Sequence, residues 1–151
     1  MRKLFILLLC FLLSFGLGQF PAQAASVGSI GKPVIQQGYN LTVNDVITGQ
    51  TESGEPYIAV DVTLTSESDE DVNSNPLYAK LKSDKGYVYN PTFFGVQEPS
   101  LDAMNDIPKG EQVRGWITFE VPNEEDGGNY TFEYRPLTFS GKSPRLRVKL
   151  D

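Results

Sequence analysis

The feature that most constrains this chain is a hydrophobic period of two. Ile58, Val60, Val62 and Leu64 alternate with Ala59, Asp61, Thr63 and Thr65. In a β-strand, residues two apart share a face, and β-branched side chains favour that state. A helix would scatter the same apolar groups around its circumference. The alternation recurs in Tyr39, Leu41 and Val43, then in Leu77, Ala79 and Leu81. It returns in Val113, Gly115, Ile117, Phe119 and Val121, in Tyr130, Phe132 and Tyr134, and in Leu146, Val148 and Leu150. Asp84-Lys85-Gly86 has the chemistry of a tight turn, with Tyr87 to Tyr89 as the returning strand. Seven or so short strands separated by polar turns predict an all-β chain folded as an antiparallel β-sandwich.

The first residues follow another rule. Arg2 and Lys3 precede a continuous apolar run over residues 4–13, and Pro21 and Ala22-Gln23-Ala24 follow it. A short basic head, an apolar stretch and small residues at the cleavage positions predict a secretory signal peptide over residues 1–24, cut between Ala24 and Ala25. A spanning helix needs about 20 apolar residues, more than this run supplies. Cys10 lies inside the apolar run with no small-residue motif before it, so lipidation there is not expected. Residues 25–37 carry Gly28, Gly31 and Pro33 with little periodicity and read as a linker or leader, with room for an edge strand at 32–35. The sandwich is then expected over residues 38–151.

Removal of the leader changes the composition. The 13 basic residues less Arg2 and Lys3 leave 11, against 19 acidic ones, a net charge of −8. That balance argues against nucleic acid, whose affinity comes from phosphate neutralisation, and against anionic membrane surfaces. No second long apolar stretch follows, so no membrane insertion is expected after cleavage. Cys10 is the single cysteine and leaves with the leader, so the domain must be held by its core rather than by disulfides.

The order of these segments resembles the DUF4352 family of exported bacterial domains, and with it the immunoglobulin-like type of mycobacterial antigen represented by MPT63. The residues that carry the likeness span nearly the whole mature chain. They are Gly31-Lys32-Pro33, Leu41-Thr42-Val43, the strand from Tyr57 to Leu64 with its Val60-Asp61-Val62 centre, and Leu81 to Tyr87. Most specific is Pro108-Lys109-Gly110-Glu111 running into Gly115-Trp116-Ile117-Thr118-Phe119-Glu120-Val121-Pro122. Where the family usually has an asparagine after the valine-rich strand, this chain has Thr65-Ser66-Glu67. The resemblance implies an immunoglobulin-like sandwich and an extracytoplasmic place, secreted or periplasmic. It carries over no catalytic residue.

Chemistry is excluded more readily than assigned. The chain has no histidine, so a histidine-activated nucleophile and His- or Cys-built metal sites are out of reach. Glu67, Asp69, Glu70 and Asp71 form the densest acidic run, but their spacing matches no EF-hand loop. They read as a solvated loop, and Asn123-Glu124-Glu125-Asp126-Gly127 reads likewise. No metal, cofactor or catalytic residue is expected. Pattern places Trp116 on the face opposite the apolar row, beside Arg114 and Thr118. The six tyrosines at 57, 78, 87, 89, 130 and 134 fit strand packing better than a carbohydrate-binding face.

Residues 90–112 form the longest irregular stretch, with prolines at 91, 99 and 108 and one helical turn expected over 101–107. Phe93, Phe94, Val96, Leu101, Met104 and Ile107 are too many apolar groups for a merely solvated loop. Two readings are open: the loop caps the sandwich over Trp116, or Phe93 and Phe94 project as anchors for a protein or cell-surface partner. Phe93, Phe94 and Trp116 are therefore the candidate binding residues of a non-catalytic interaction module. Alternatives are an extracellular protease inhibitor presenting Lys109 or Lys142, and a hydrolase using two of the carboxylates. N-terminal sequencing of secreted protein is expected to begin at Ala25. Recovery of the intact chain from the membrane would overturn the signal reading.

Overall fold

The computed structural model describes residues 26–151 apart from 71, 94, 123–127 and 139–142. The expected signal peptide and the Ala24–Ala25 bond lie outside them. In chain order the strands are β1 (Val27–Ser29), β2 (Val34–Gln36), β3 (Tyr39–Gln50), β4 (Pro56–Ser66), β5 (Val72–Ser74), β6 (Ala79–Ser83) and β7 (Val88–Tyr89). They continue as β8 (Met104–Ile107), β9 (Gln112–Glu120), β10 (Tyr130–Tyr134) and β11 (Leu146–Lys149), with one 3₁₀ turn at Pro76–Tyr78. Sheet one runs β1-β11-β10-β6-β7, sheet two runs β2-β3-β4-β9, and β5 pairs with β8 as a separate ribbon. Among the described residues no helix is long and apolar enough to cross a membrane.

The period-two rows become the core. Across β4 and β9, Ile58 pairs with Phe119, Val60 with Ile117, Val62 with Gly115 and Leu64 with Val113, so the two apolar rows lie side by side on one sheet. They face Leu81, Phe132, Leu146 and Val148 of sheet one, all buried. Phe119 meets Phe132 edge-on across the gap, ring centres 6.2 Å apart. Each such side chain contributes roughly 1.5–3 kcal/mol by leaving water.

Four expectations need correction. Residues 25–37, expected as a linker or leader with room for an edge strand at 32–35, hold two strands, the second at Val34–Gln36. β1 pairs parallel with β11 in sheet one, and β2 pairs antiparallel with β3 in sheet two. The chain changes sheets at Gly31, whose φ of 76° the missing Cβ permits. Second, β3 runs on past Val43. A register shift between Val43 and Asp45 moves the buried row from Val43 to Val46, which hides the second half of the strand from a strict period of two. Third, residues 101–107 hold no helical turn. Ile107 precedes Pro108, which disfavours helical backbone, and it pairs with Val72 in the β5–β8 ribbon. Leu77, expected in a strand, instead sits in the 3₁₀ turn and is exposed. Asn75 caps that turn, its Oδ1 accepting from the Leu77 N–H at 2.9 Å, and Pro76 opens it.

Gly115 occupies a special point in the apolar row. A Cβ there would lie 2.5 Å from the Leu101 backbone. Denaturant unfolding tests both kinds of position. Phe119→Ala is expected to cost about 3–5 kcal/mol by opening a cavity, and Gly115→Ala about 1–3 kcal/mol by overpacking, although it adds only a methyl group. An unchanged midpoint for Gly115→Ala would mean that Leu101 does not cross there.

Candidate functional site

Strand β9 ends sheet two, so one side of it would present unpaired N–H and C=O groups. The segment from residue 90 to 101 closes that edge as a strap. The Thr92 N–H donates to the Thr118 carbonyl at 2.8 Å. The Trp116 N–H donates to the Pro99 carbonyl, and the Leu101 N–H to the Trp116 carbonyl, both at 2.9 Å. Gly115 lets the second limb approach, and Leu101 enters the core. Between the two limbs, Gln97 Nε2 donates to the Tyr57 hydroxyl at 3.2 Å.

The strap places the apolar groups of residues 90–112 in different surroundings. Leu101 and Ile107 are buried, as a capping loop requires. Trp116 is half-buried beneath the strap. Phe93 is 82% exposed, the most open of the large apolar side chains described. Phe94 lies outside the described residues. Phe93 and Trp116 line one pocket of ≈ 260 Å³, together with Thr92, Ser100, Leu101 and Thr118. Thr118 is buried, and its Oγ1 has no hydrogen-bond partner among the described residues. A buried hydroxyl without a partner costs about 1–3 kcal/mol.

The far wall of the pocket comes from residues 75–77. They are moored by Tyr134, whose hydroxyl accepts the Asn75 N–H at 2.9 Å. Burial pushes the pKa of Tyr134 well up, more than the Asn75 hydrogen bond lowers it. Tyr39 is raised for the same reason, its bond from Asn73 opposing. Tyr57, Tyr89 and Tyr134 are buried, Tyr78 and Tyr130 half-buried and Tyr87 exposed, the distribution of packing residues rather than of a sugar-binding platform.

The other candidates fall elsewhere. Asp61, on the outer face of sheet two, is buried, and Arg114 on the neighbouring strand grips both its oxygens, Nε lying 3.1 Å from each. This pair holds the Arg114 pKa above its ordinary value, chiefly through the hydrogen bonds. The second buried carboxylate, Glu133, belongs to sheet one and meets Lys82 Nζ at 2.9 Å. The two thus sit on different sheets, each with its own cation. In the acidic run, Asp69 pairs with Lys109, and Glu67 accepts from Asn40 at 2.7 Å. Asp71, Lys142 and residues 123–127 lie outside the described residues. Among those described, no three acidic side chains gather as a metal site would require.

Two face-packed sheets with a strapped edge define an immunoglobulin-like β-sandwich domain. The chain belongs to the DUF4352 family, a domain of unknown function, whose model matches residues 28–145. Its fold is similar to that of the yjhA protein of Bacillus subtilis, with a TM-score of 0.63 and 19% identity over 83% of this chain and 100% of that one. It is also similar to MPT63, a secreted protein of Mycobacterium tuberculosis, with a TM-score of 0.59 and 14% identity over 85% and 98% of the two chains. A functionally unknown protein of Listeria monocytogenes matches with a TM-score of 0.58 and 11% identity over 82% and 83%. No curated protein matches the chain.

The raised tyrosines set an alkaline limit. A group whose pKa is higher folded than unfolded lends stability that is complete below its ordinary value, here 10.0, and is lost as pH climbs above it. Unfolding free energy is therefore expected to fall above about pH 10. Tyr134→Phe is expected to cost about 1 kcal/mol at neutral pH through the lost Asn75 bond, yet to show a shallower alkaline decline. Equal declines in the two proteins would remove burial of this hydroxyl as the cause.

Proposed function

We propose that this protein is an extracytoplasmic, non-catalytic binding module that holds a protein partner at the strapped edge of sheet two. The observation that carries the reading is Phe93, held open to solvent on a strap whose two limbs are fixed by backbone hydrogen bonds. An anchor presented on rigid backbone forfeits little conformational entropy when it is buried by a partner. Aromatic anchors beside small pockets are the usual centres of binding energy at interfaces. The pocket beside Phe93 sets the apolar groups of Leu101 and Trp116 among the polar side chains of Asn75, Thr92 and Ser100. Export is supported by the basic, apolar and small-residue order of residues 1–24 and by the secreted character of MPT63. Lys109 does not favour an inhibitor, because its ammonium is engaged by Asp69 rather than presented free at a loop apex.

Phe93→Ala separates anchor from cap. The anchor reading expects a stability within about 0.5 kcal/mol of the parent, as for a surface substitution, with capture of the native envelope partner weakened about 30-fold. Trp116, the only tryptophan in the chain, supplies an intrinsic fluorescence signal for the same event. A loss of several degrees in Tm with capture and fluorescence response intact would finish the proposal.

A further inference from the structure

The outer face of sheet one holds a second feature, which adjoins the Phe93 pocket at Asn75 and Leu77. Register fixes its layout. Lys80 of β6 and Arg147 of β11 both pair with Glu133 of β10, and Lys82 and Lys149 both pair with Thr131. Arg135 and Arg145 extend the same face by one step, where the Arg135 N–H donates to the Tyr78 carbonyl at 2.9 Å. Six of the 11 cations that remain after residue 24 thus stand on one sheet face; Glu133 is the carboxylate within its strands, and Asp84 and Asp151 follow the same alternation one step beyond Lys82 and Lys149. The register sets these cations opposite Glu133 or Thr131 rather than opposite one another, and the four on the strands share one carboxylate, so a surplus of positive charge remains on the face.

The face is concave. Lys80, Lys82, Arg135 and Arg145 line a groove of ≈ 670 Å³ around Glu133. Glu133 engages Lys82 at 2.9 Å and Arg145 at 3.9 Å. Lys80 and Arg135 are exposed and make no ion pair among the described residues. Exposed Leu77, Val88 and Leu137 also line the groove.

We infer that this groove binds an extended acidic polypeptide segment, with carboxylates at alternate positions and apolar side chains beyond them on the same face. Lys80 and Lys82 are two residues apart on a strand, about 7 Å, and alternate residues of an extended peptide repeat at the same distance. Guanidinium groups such as Arg135 pair with carboxylates in bidentate fashion. The apolar lining separates a peptide from a bare polyanion, which would leave Leu77, Val88 and Leu137 uncovered. The net charge of −8 does not forbid an acidic ligand, because charges beyond a Debye length of about 8 Å are largely screened at physiological salt, and the groove acts within that range. A broad anionic membrane would meet the acidic loops as well as the groove.

The test uses the mature chain and a fluorescein-labelled octapeptide, Leu-Ser-Glu-Ser-Glu-Ser-Leu-Ser, whose leucines and glutamates share one face, followed by anisotropy. Binding is expected to weaken about tenfold or more when each glutamate is replaced by glutamine, and severalfold between about 50 and 300 mM salt. Lys80→Glu/Arg135→Glu is expected to abolish it, with Lys32→Glu without effect. Should the reversal disturb folding, Lys80→Gln/Arg135→Gln, two neutral exchanges at exposed sites, is expected to cost about tenfold at an unchanged Tm. Equal binding by the folded double variant or by the glutamine peptide would overturn the inference. So would tighter competition by inorganic polyphosphate or by phosphatidylglycerol vesicles than by unlabelled peptide. Groove-dependent self-association in sedimentation would assign the surface to a second copy of this chain instead. Because Phe93 is untouched, failure here leaves the edge proposal standing, and the reverse also holds.

Discussion

The hydrogen-bonding demand of one strand edge organises much of this molecule. β9 carries the central half of the apolar row, yet its outer side faces no regular strand. The chain answers with irregular backbone, pairing around Pro91 and again around Ser100. That answer works only because Gly115 leaves space for Leu101 in the row where every neighbour is a bulky apolar residue. Closing the edge brings Leu101 into the core and places Phe93 outside it. Satisfying backbone and displaying an aromatic are two results of one arrangement, which is why loops on a firm scaffold so often carry recognition.

The sequence disclosed the strands whose burial keeps a strict phase. Val60, Val62, Ile117 and Phe119 were readable because each neighbour in the row is apolar and the intervening residues are polar. β3 was half-readable, since the shift after Val43 breaks the phase while leaving the hydrogen-bond ladder to continue. β2 was legible only as room for an edge strand at 32–35, and β1 was not legible: three-residue strands have too few positions to show any period, and the glycine and proline around them serve a change of sheet. Within the candidate site, Phe93 and Trp116 stood out as aromatics in an irregular stretch. Thr118 did not, because a threonine in a strand is ordinary and only the strap makes its hydroxyl a buried one.

The cationic face shows how an overall charge conceals a local one. Arg145, Arg147 and Lys149 alternate with Leu146 and Val148, and Lys80 and Lys82 flank Leu81. Read singly, each segment is a half-buried strand with a solvated side. Only the order β11-β10-β6 places those solvated sides together, and that order joins segments more than sixty residues apart. The acids, by contrast, sit mainly in the loops and on sheet two, with Asp61 neutralised by Arg114. A balance of −8 is thus the sum of two regions of opposite character.

The parallel pairing of Val27–Ser29 with Arg147–Lys149 has a kinetic meaning. The first strand and the last are partners, so sheet one lacks its edge until the final residues are available. A chain that emerges from a ribosome or a translocation channel with its N-terminus first must hold β1 unpaired for almost its entire length. Contacts between distant segments slow folding, because the loop between them must be ordered before the contact rewards it. The completed sheet therefore reports that β11 has been made: any product truncated before Leu146 leaves β1 and β10 without the strand that joins them.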